Sequence, residues 1–259
     1  MSLSVDDVTE LKKTLDEQGY VVVPQVVSRE ALARLGRELL DAYEKFEKFK
    51  GGGTLAGHLN CFPGERARFI YDQLAEVGLV DAVWAARPDL IQTFRVTTNF
   101  NLPGSVAQHY HMDGLFSENF VICNVAIVDI TVENGAMDVL PGTNRDYMPF
   151  WQYALRRKYR LSRRVEMRQG DVMIRQSTLW HRGMPNRTAS TRPMFSLTFG
   201  EQSGTVGDPF EGDTTFYNNW FTSSRFGIAR EKVFVTAPAL YSAYRFAKSL
   251  SGKRGYSSY

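Results

Sequence analysis

The second half of the chain divides into short β-rich segments separated by turn residues, and this pattern restricts its fold more than any other. From about Thr93 onward, segments such as FRVTTNFNL, FVICNVAIVDI and RPMFSLTFGE alternate with the turn pairs Asn134-Gly135, Pro141-Gly142 and Gly170-Asp171. Many short strands at this spacing favour an antiparallel sandwich or barrel over a parallel sheet with crossover helices. We therefore expect a mainly β fold with a jelly-roll core over residues 93–204.

The first part of the chain has helical periodicity instead. Leu32, Leu35 and Leu39 recur at the spacing that gives a helix one apolar face. The expected elements are a helix over 5–17, a strand over 20–24, a helix from Ser28 to about Lys48 and a helical stretch over 66–86. We expect residues 1–92 to buttress the core, residues 205–259 to form a C-terminal extension, and residues 1–259 to make one domain.

The overall composition argues against several classes of partner. A net charge of +3, with 23% charged residues, is too small a surplus to indicate nucleic-acid binding. Cys61 and Cys123 are too few for a disulfide framework, which favours a reducing, cytoplasmic setting. The first residues lack the pattern of a signal peptide, and no apolar run approaches the ~20 residues that span a bilayer.

Two of the four histidines lie in the segment AQHYHMDGLF, just ahead of an aspartate. If this segment is a strand, side chains two residues apart share a face, so His111 can converge on one ion with either His109 or Asp113. His109 and Asp113 would lie ~13 Å apart at Cα, which is too far for both to reach one ion. The sequence therefore leaves a choice between an H-x-D pair and an H-x-H pair.

A third metal ligand must come from another segment. Among the remaining histidines, His181 follows a strand-like run in the β-rich half, whereas His58 lies in a Gly-rich connection, so His181 is favoured. Two histidines and one carboxylate on one face of an octahedron form the site of non-haem Fe(II) oxygenases. A three-histidine, cupin-like enzyme using His109, His111 and His181 and a jelly-roll binding protein without activity are the alternatives.

An arginine and a serine follow the second half of this pattern. Arg192 lies eleven residues after His181, at the start of a predicted strand, and Ser196 shares its strand face. An inward-facing arginine in a barrel is costly unless it is paired with an anion, and a guanidinium matches a carboxylate in bidentate geometry. A metal beside Arg192 and Ser196 would suit a chelating dicarboxylate such as 2-oxoglutarate.

Together these motifs resemble the phytanoyl-CoA dioxygenase family of Fe(II)- and 2-oxoglutarate-dependent oxygenases. The resemblance rests on His111-Met112-Asp113, on ENGAMDVLPGTNR, on GDVMIRQSTLWHRGMPNRT, and on Arg192 and Ser196. It covers roughly residues 15–205 and implies a double-stranded β-helix. It further implies that His111, Asp113 and His181 bind iron, that Arg192 with Ser196 binds the distal carboxylate of 2-oxoglutarate, and that Asn124 faces this cosubstrate.

The departures from the family pattern concern the substrate and the reaction. Met112, Thr143-Asn144 and Arg182 differ from the residues usual in the family, at positions that approach the substrate in relatives, so phytanoyl-CoA itself is not implied. Asp113 stands where related halogenases have Ala or Gly to admit chloride. The resemblance thus implies hydroxylation of a C–H bond, with O2 consumed and succinate and CO2 released.

Three further segments bear on partners. The basic run Arg156–Arg164 predicts either an anion-binding lid or, more often, a solvated helical face. The amphipathic ALYSAYRFAKSL, followed by Lys253-Arg254, predicts docking on the core more strongly than contact with a membrane. FYNNWF could wall a pocket or pack under a loop. We expect a small-molecule or carrier-bound substrate, and an anionic substrate is one of the possibilities. We expect no nucleic-acid partner.

Overall fold

A computed structural model describes residues 5–46, 55–201, 207–216 and 224–250 of the chain. Its strands are β1 (Tyr20–Val23), β2 (His58–Phe62), β3 (Phe94–Asn101), β4 (Val121–Ala126), β5 (Met137–Val139), β6 (Arg163–Val165), β7 (Val172–Gln176), β8 (His181–Arg182), β9 (Arg192–Phe199) and β10 (Thr215–Phe216). Its helices are α1 (Val5–Gln18), α2 (Arg29–Lys45), α3 (Arg68–Glu76), α4 (Leu79–Ala86), α5 (Phe150–Leu155), α6 (Arg225–Thr236) and α7 (Pro238–Leu250).

In the described part of the chain the strands form two antiparallel sheets. The larger sheet has seven strands in the order β1-β7-β4-β9-β3-β2-β10, and the smaller has three in the order β6-β5-β8. Strands distant in sequence lie side by side, as β4 does between β7 and β9. This arrangement of short antiparallel strands with flanking helices confirms the predicted jelly-roll class.

The N-terminal helices cover the outer face of the larger sheet. Ser28 caps α2 by accepting a hydrogen bond from the Ala31 backbone N–H, and Leu32 and Leu39 are buried in the main apolar core with residues of β4 and β9. The helical stretch predicted over 66–86 is two helices rather than one. Gly78, with φ of +77°, adopts the left-handed conformation between α3 and α4, and this breaks the helix.

The segment around the paired histidines is not the strand that its sequence predicts. Only His111 forms a β-bridge, an antiparallel one to His181, with backbone N···O distances of 2.9 and 2.8 Å in the two directions. The chain then turns at Gly114, whose φ is +65°. The reverse error occurs at His58, which the Gly-rich context placed in a connection but which begins β2, paired with β3.

The C-terminal helices pack on the domain instead of projecting from it. In α7, Tyr241 and Arg245 are buried, and the helix lies against α5. None of the helices in the described ranges is long and apolar enough to cross a membrane. Lys253-Arg254 and all of FYNNWF after Phe216 lie outside the described residues, and Phe216 itself stacks on Phe46 beside the core.

The basic run Arg156–Arg164 is a 3₁₀ turn followed by a strand, rather than the solvated helical face that one of the two interpretations predicted. A 3₁₀ turn at Lys158–Leu161 leads directly into β6, so the last two arginines of the run belong to the smaller sheet. Arg164 there donates from Nε to the Ala136 carbonyl at 2.9 Å, while Arg156 and Arg160 are exposed. The run is therefore largely a solvated edge with one anchored guanidinium.

Candidate metal centre

Three side chains from two segments, His111 and Asp113 from one and His181 from the other, converge inside the jelly roll. His111 Nε2 lies 3.7 Å from one carboxylate oxygen of Asp113, and His181 Nε2 lies 3.5 Å from the other. Candidate ligand atoms of the three residues all lie within 4.8 Å of one another. Atoms that each bind one ion at about 2.1 Å are ~3–4 Å apart, so the cluster has the dimensions of a metal site. The β-bridge between His111 and His181 fixes this approach.

Both imidazoles are oriented by backbone carbonyl groups. His111 Nδ1 lies 2.8 Å from the carbonyl oxygen of His109, and His181 Nδ1 lies 2.9 Å from that of Leu179. An Nδ1–H that donates to a carbonyl leaves Nε2 unprotonated in the neutral ring, and this is the tautomer that binds a metal. Burial lowers the pKa of His111 and lowers that of His181 to about 3, so both rings are neutral at pH 7.

Asp113 is ionised because of an arginine that the sequence analysis did not single out. Burial by itself would raise the pKa of this carboxyl, but Arg175, with His181 and His111, outweighs burial and holds it well below its usual range. Arg175 Nη2 lies 2.7 Å from Asp113 Oδ2. The cluster therefore offers two neutral nitrogens and one anionic oxygen, the donor set of a non-haem Fe(II) site.

His109 lies beside the cluster but outside it. Among the described residues, the one cluster with metal-site dimensions contains Asp113 rather than His109. The His109 ring is 5.4 Å from the His111 ring and packs against Phe234 and Tyr241 of the C-terminal helices. Its contribution to the centre is its backbone carbonyl, which orients His111.

The other histidine weighed as a ligand, His58, is engaged elsewhere. Its Nε2 lies 2.9 Å from the Val106 carbonyl oxygen. Burial lowers the pKa of His58 to about 4, and the nearby guanidinium of Arg192 contributes in the same direction. His58 is thus a neutral, fixed part of the cavity wall.

Arg192 is buried in the same cavity and forms no ion pair with any of the described residues. It is 4% exposed, and its Nη2 donates to the Gly135 carbonyl at 3.2 Å. Within the described residues, neither its Nε nor its Nη1 has a hydrogen-bond partner. Burial lowers the pKa of Arg192 to about 10, which still leaves it protonated at pH 7. A buried, charged and half-paired guanidinium is the residue type expected to await a carboxylate.

Asn124 and Ser196 join the two sides of the site. They are register partners on β4 and β9, and Asn124 Nδ2 donates to Ser196 Oγ at 2.7 Å. Arg175 Nε donates in turn to Asn124 Oδ1 at 2.9 Å. A continuous chain of hydrogen bonds and one ion pair therefore crosses three strands, from Ser196 through Asn124 and Arg175 to Asp113.

These groups surround one cavity of about 420 Å³. Its walls combine the charged residues described above with neutral amide and hydroxyl side chains. The neutral polar members are Asn60, Thr97, Asn99, Gln108, Asn124, Ser196 and Thr198. Arg95 and Glu201 also line it and form an ion pair with each other at 2.9 Å. The cavity thus brings together every site residue predicted from the sequence.

Arg175 is the residue that sequence reasoning missed. The signal was present, because VMIRQ reads as a buried central strand, and a charge inside such a strand must find a partner. Alternation along β7 places Arg175 on the same face as Met173, which pairs with Asn124 in register. The family pattern drew attention to the residues around Arg175 instead of to Arg175 itself.

Solved structures share this fold. The epimerase SnoN, crystallised with Fe3+, alpha ketoglutarate and nogalamycin RO, matches with a TM-score of 0.60 and 19% identity, covering 82% of this chain and 96% of that one. EvdO2 from Micromonospora carbonacea var. aurantiaca, complexed with 2-oxoglutarate, matches with a TM-score of 0.55 and 15% identity, covering 82% and 99%. HygX from Streptomyces hygroscopicus, with nickel and 2-oxoglutarate bound, matches with a TM-score of 0.54 and 17% identity, covering 83% and 98%.

The sequence itself gives the family. The family model for phytanoyl-CoA dioxygenase (PhyH) matches residues 15–194, which is more than half of the chain and includes all three residues of the metal cluster and Arg192. The chain therefore belongs to the phytanoyl-CoA dioxygenase family.

Proposed function

We propose that this protein is an Fe(II)- and 2-oxoglutarate-dependent oxygenase that hydroxylates a C–H bond of a polar small molecule. One observation carries the proposal. A His-His-Asp cluster with unprotonated Nε2 atoms and a buried, half-paired arginine lie in one cavity. The His-His-Asp cluster suits a divalent metal, and the arginine suits the far carboxylate of a ligand that chelates this metal.

Each group in the cavity has a role in this proposal. His111, Asp113 and His181 would hold the iron, leaving coordination positions open toward the cavity. Arg192 would bind the distal carboxylate of 2-oxoglutarate, with Ser196 and Asn124 on the wall beside the cosubstrate. When bound, iron and 2-oxoglutarate together supply the activation of O2, with 2-oxoglutarate converted to succinate and CO2.

The chain's own contribution is to position groups and exclude water. Backbone carbonyls fix both imidazoles before any ligand arrives, which lowers the cost of ordering the site. Trp180, next to His181, is fully buried and packs on Tyr153, so one wall behind the cluster is rigid and dry. A substrate C–H bond held in such a cavity is shielded from bulk solvent.

The similar solved structures support the cofactors. SnoN was crystallised with Fe3+ and alpha ketoglutarate, and EvdO2 with 2-oxoglutarate. HygX was crystallised with nickel and 2-oxoglutarate. SnoN is described as an epimerase, so this fold also serves reactions other than hydroxylation. Asp113 supports oxygen insertion over halogenation in this chain, because a carboxylate ligand fills the position that chloride would need.

The cavity wall supports a polar substrate. Asn99 Nδ2 donates to Asn60 Oδ1 at 3.0 Å, so this amide pair is ordered, and both residues line the cavity. Amide and hydroxyl groups on a wall match a ligand rich in hydroxyl or amine groups better than a hydrocarbon chain. HygX, crystallised with hygromycin B, has the same fold at a TM-score of 0.51.

The test is a turnover screen with product identification. Wild-type protein with Fe(II), 2-oxoglutarate and O2 is incubated with a panel of polyhydroxylated and aminated metabolites, and succinate is measured. Mass spectrometry of the product from any metabolite that stimulates succinate formation then identifies the reaction. Hydroxylation adds one oxygen atom, ring closure removes two hydrogens and epimerisation leaves the mass unchanged. Succinate formation that is equal in wild-type protein and Asp113→Ala would contradict the proposal.

A further inference from the structure

We propose that Arg175 is a second carboxylate-binding residue, which holds the metal-side carboxylate of the 2-oxo acid while Arg192 holds the distal one. The inference rests on the proposed cosubstrate and assigns to Arg175 a role in binding it. Three observations carry it: the contact of Arg175 with Asp113, its unpaired Nη1, and its distance from Arg192.

Arg175 is fixed against the carboxylate of the candidate metal cluster. Its Nη2 reaches Asp113 Oδ2 at 2.7 Å and its Nε reaches Asn124 Oδ1 at 2.9 Å, so both ends of the guanidinium are anchored. The side chain is 5% exposed and lines the cavity. Within the described residues its third nitrogen, Nη1, has no hydrogen-bond partner. An anchored guanidinium with an unused donor is organised in advance for one more anionic oxygen.

The two buried arginines cannot serve the same carboxylate. Arg175 pairs in register with Ile122, and Ile122 pairs with Thr198, six residues beyond Arg192 on β9. Six residues of a strand span ~20 Å, so the backbones of the two arginines stand at opposite ends of the cavity. Arg175 therefore lies at the Asp113 end, and Arg192 lies far along the sheet from it.

Coordination chemistry places an anion at the Asp113 end. A metal held by His111, Asp113 and His181 would keep coordination positions open toward the cavity. A bidentate 2-oxo acid would occupy positions beside Asp113 and hence near its partner Arg175. The carboxylate of the chelate, and not its neutral oxo group, is the donor that a guanidinium attracts.

The charges of the buried groups agree with this assignment. Arg175 and Arg192 contribute two positive charges and Asp113 one negative charge, while Arg95 and Glu201 neutralise each other in an ion pair. A divalent metal makes the surplus larger. Both carboxylates of 2-oxoglutarate are thus needed to offset the buried positive charge, and each has a guanidinium at its own end.

The test compares the affinities of three probes for protein loaded with Ni(II), which does not react with O2. The probes are 2-oxoglutarate, the monocarboxylate 2-oxovalerate, and imidazole as a neutral metal ligand, all titrated by calorimetry. Arg175→Gln should weaken 2-oxoglutarate and 2-oxovalerate equally, by about 10- to 100-fold, and leave imidazole unchanged. Arg192→Gln should weaken 2-oxoglutarate alone, because 2-oxovalerate has no distal carboxylate.

Two further variants separate binding from structural damage. Arg175→Lys keeps the charge and should restore part of the lost affinity. Arg34→Gln removes a positive charge from an exposed position on α2, outside the cavity, and should leave the affinity for all three probes unchanged. Unchanged binding of 2-oxovalerate in Arg175→Gln, or an equal loss of imidazole binding, would overturn the inference. Failure of wild-type protein to bind 2-oxoglutarate would instead overturn the proposed function.

Discussion

The two ends of the cavity are built differently, although each contains a buried arginine. At the Asp113 end, Arg175 is held by a carboxylate and an amide, and both imidazoles are fixed by backbone carbonyls. At the Arg192 end, the guanidinium has one hydrogen bond, to the Gly135 carbonyl, and two nitrogens without partners among the described residues. At the Asp113 end most polar contacts are in place in the protein alone and only Arg175 Nη1 is left over, whereas most of the Arg192 guanidinium has no partner among the described residues.

This difference indicates which interactions stabilise the fold and which serve binding. A buried charge with its partner in place stabilises the folded chain, whereas a buried charge without one raises its free energy until an anion arrives. The cost at the Arg192 end is what a carboxylate ligand would relieve.

Removing the carboxylate from the Asp113 end should abolish metal binding there. Asp113→Ala deletes one of the three proposed ligands and would leave Arg175 as an unpaired cation beside a bound metal, so divalent metal affinity should fall by about 100-fold or more. Calorimetric titration with Ni(II) measures the affinity, and Asp72→Ala, at an exposed position on α3, is the control. Wild-type metal affinity in Asp113→Ala would mean that the cluster is not the metal site.

Replacing each arginine in the ligand-free protein should have opposite effects on stability. Arg175→Met breaks a charged hydrogen-bonded pair and should lower the free energy of unfolding by about 2 kcal/mol. Arg192→Met removes an uncompensated buried charge and should raise it by about 1 kcal/mol. Urea denaturation of both metal-free variants measures the difference. Equal losses in the two variants would contradict the contrast between the two ends.

Low pH should lower the stability of the folded protein through His58 at the Arg192 end. His58 on β2 pairs with Asn101 on β3, and Asn101 pairs with Arg192 on β9. Its folded-state pKa of about 4 lies below the usual 6.5, so the unfolded chain binds more protons and stability falls as the pH drops from 6.5 toward 4.

Between pH 7 and pH 5.5 this single group should cost the folded state about 1 kcal/mol. His58→Gln should lose that part of the pH dependence, and the measurement is urea denaturation at both pH values. The same pH dependence in wild-type protein and in His58→Gln would rule out this role for His58.

The smallest change in stability and affinity is expected for the hydrogen bonds that connect the two ends of the cavity. Ser196→Ala removes the acceptor of Asn124 Nδ2, while Asn124 keeps its bond from Arg175, so the free energy of unfolding should fall by about 1 kcal/mol or less. Affinity for 2-oxoglutarate, measured on Ni(II)-loaded protein, should weaken only a few-fold. A loss as large as that in Arg192→Gln would instead make Ser196 the main carboxylate-binding residue.

The sequence predicted the jelly-roll class and the groups that meet in the cavity, because the strand pattern and the spacing of His111, Asp113, His181 and Arg192 are local or family features. It did not predict that the segment around His109 lacks strand structure. The β-bridge in this segment joins His111 to His181, which lies in a distant part of the same chain, and no local pattern contains such a tertiary contact.

Arg175 was missed for a related reason. Its importance lies in two partners, Asp113 and Asn124, that are 62 and 51 residues away in sequence. The buried strand around it showed only that some partner had to exist. His58 was misplaced because the Gly-rich stretch before it suggested a loop, whereas pairing with β3 makes it part of a strand.

The cavity should bind iron at one end and a 2-oxo diacid across its length. Anaerobic titration of the Fe(II)-loaded protein with 2-oxoglutarate measures this binding, because a 2-oxo acid chelated to Fe(II) produces a visible charge-transfer band. We expect a saturable band in wild-type protein, a titration shifted to about 10- to 100-fold higher concentration in Arg192→Gln, and no band in Asp113→Ala. A wild-type protein that binds Fe(II) but shows no band, or a band unaffected by Arg192→Gln, would contradict this expectation.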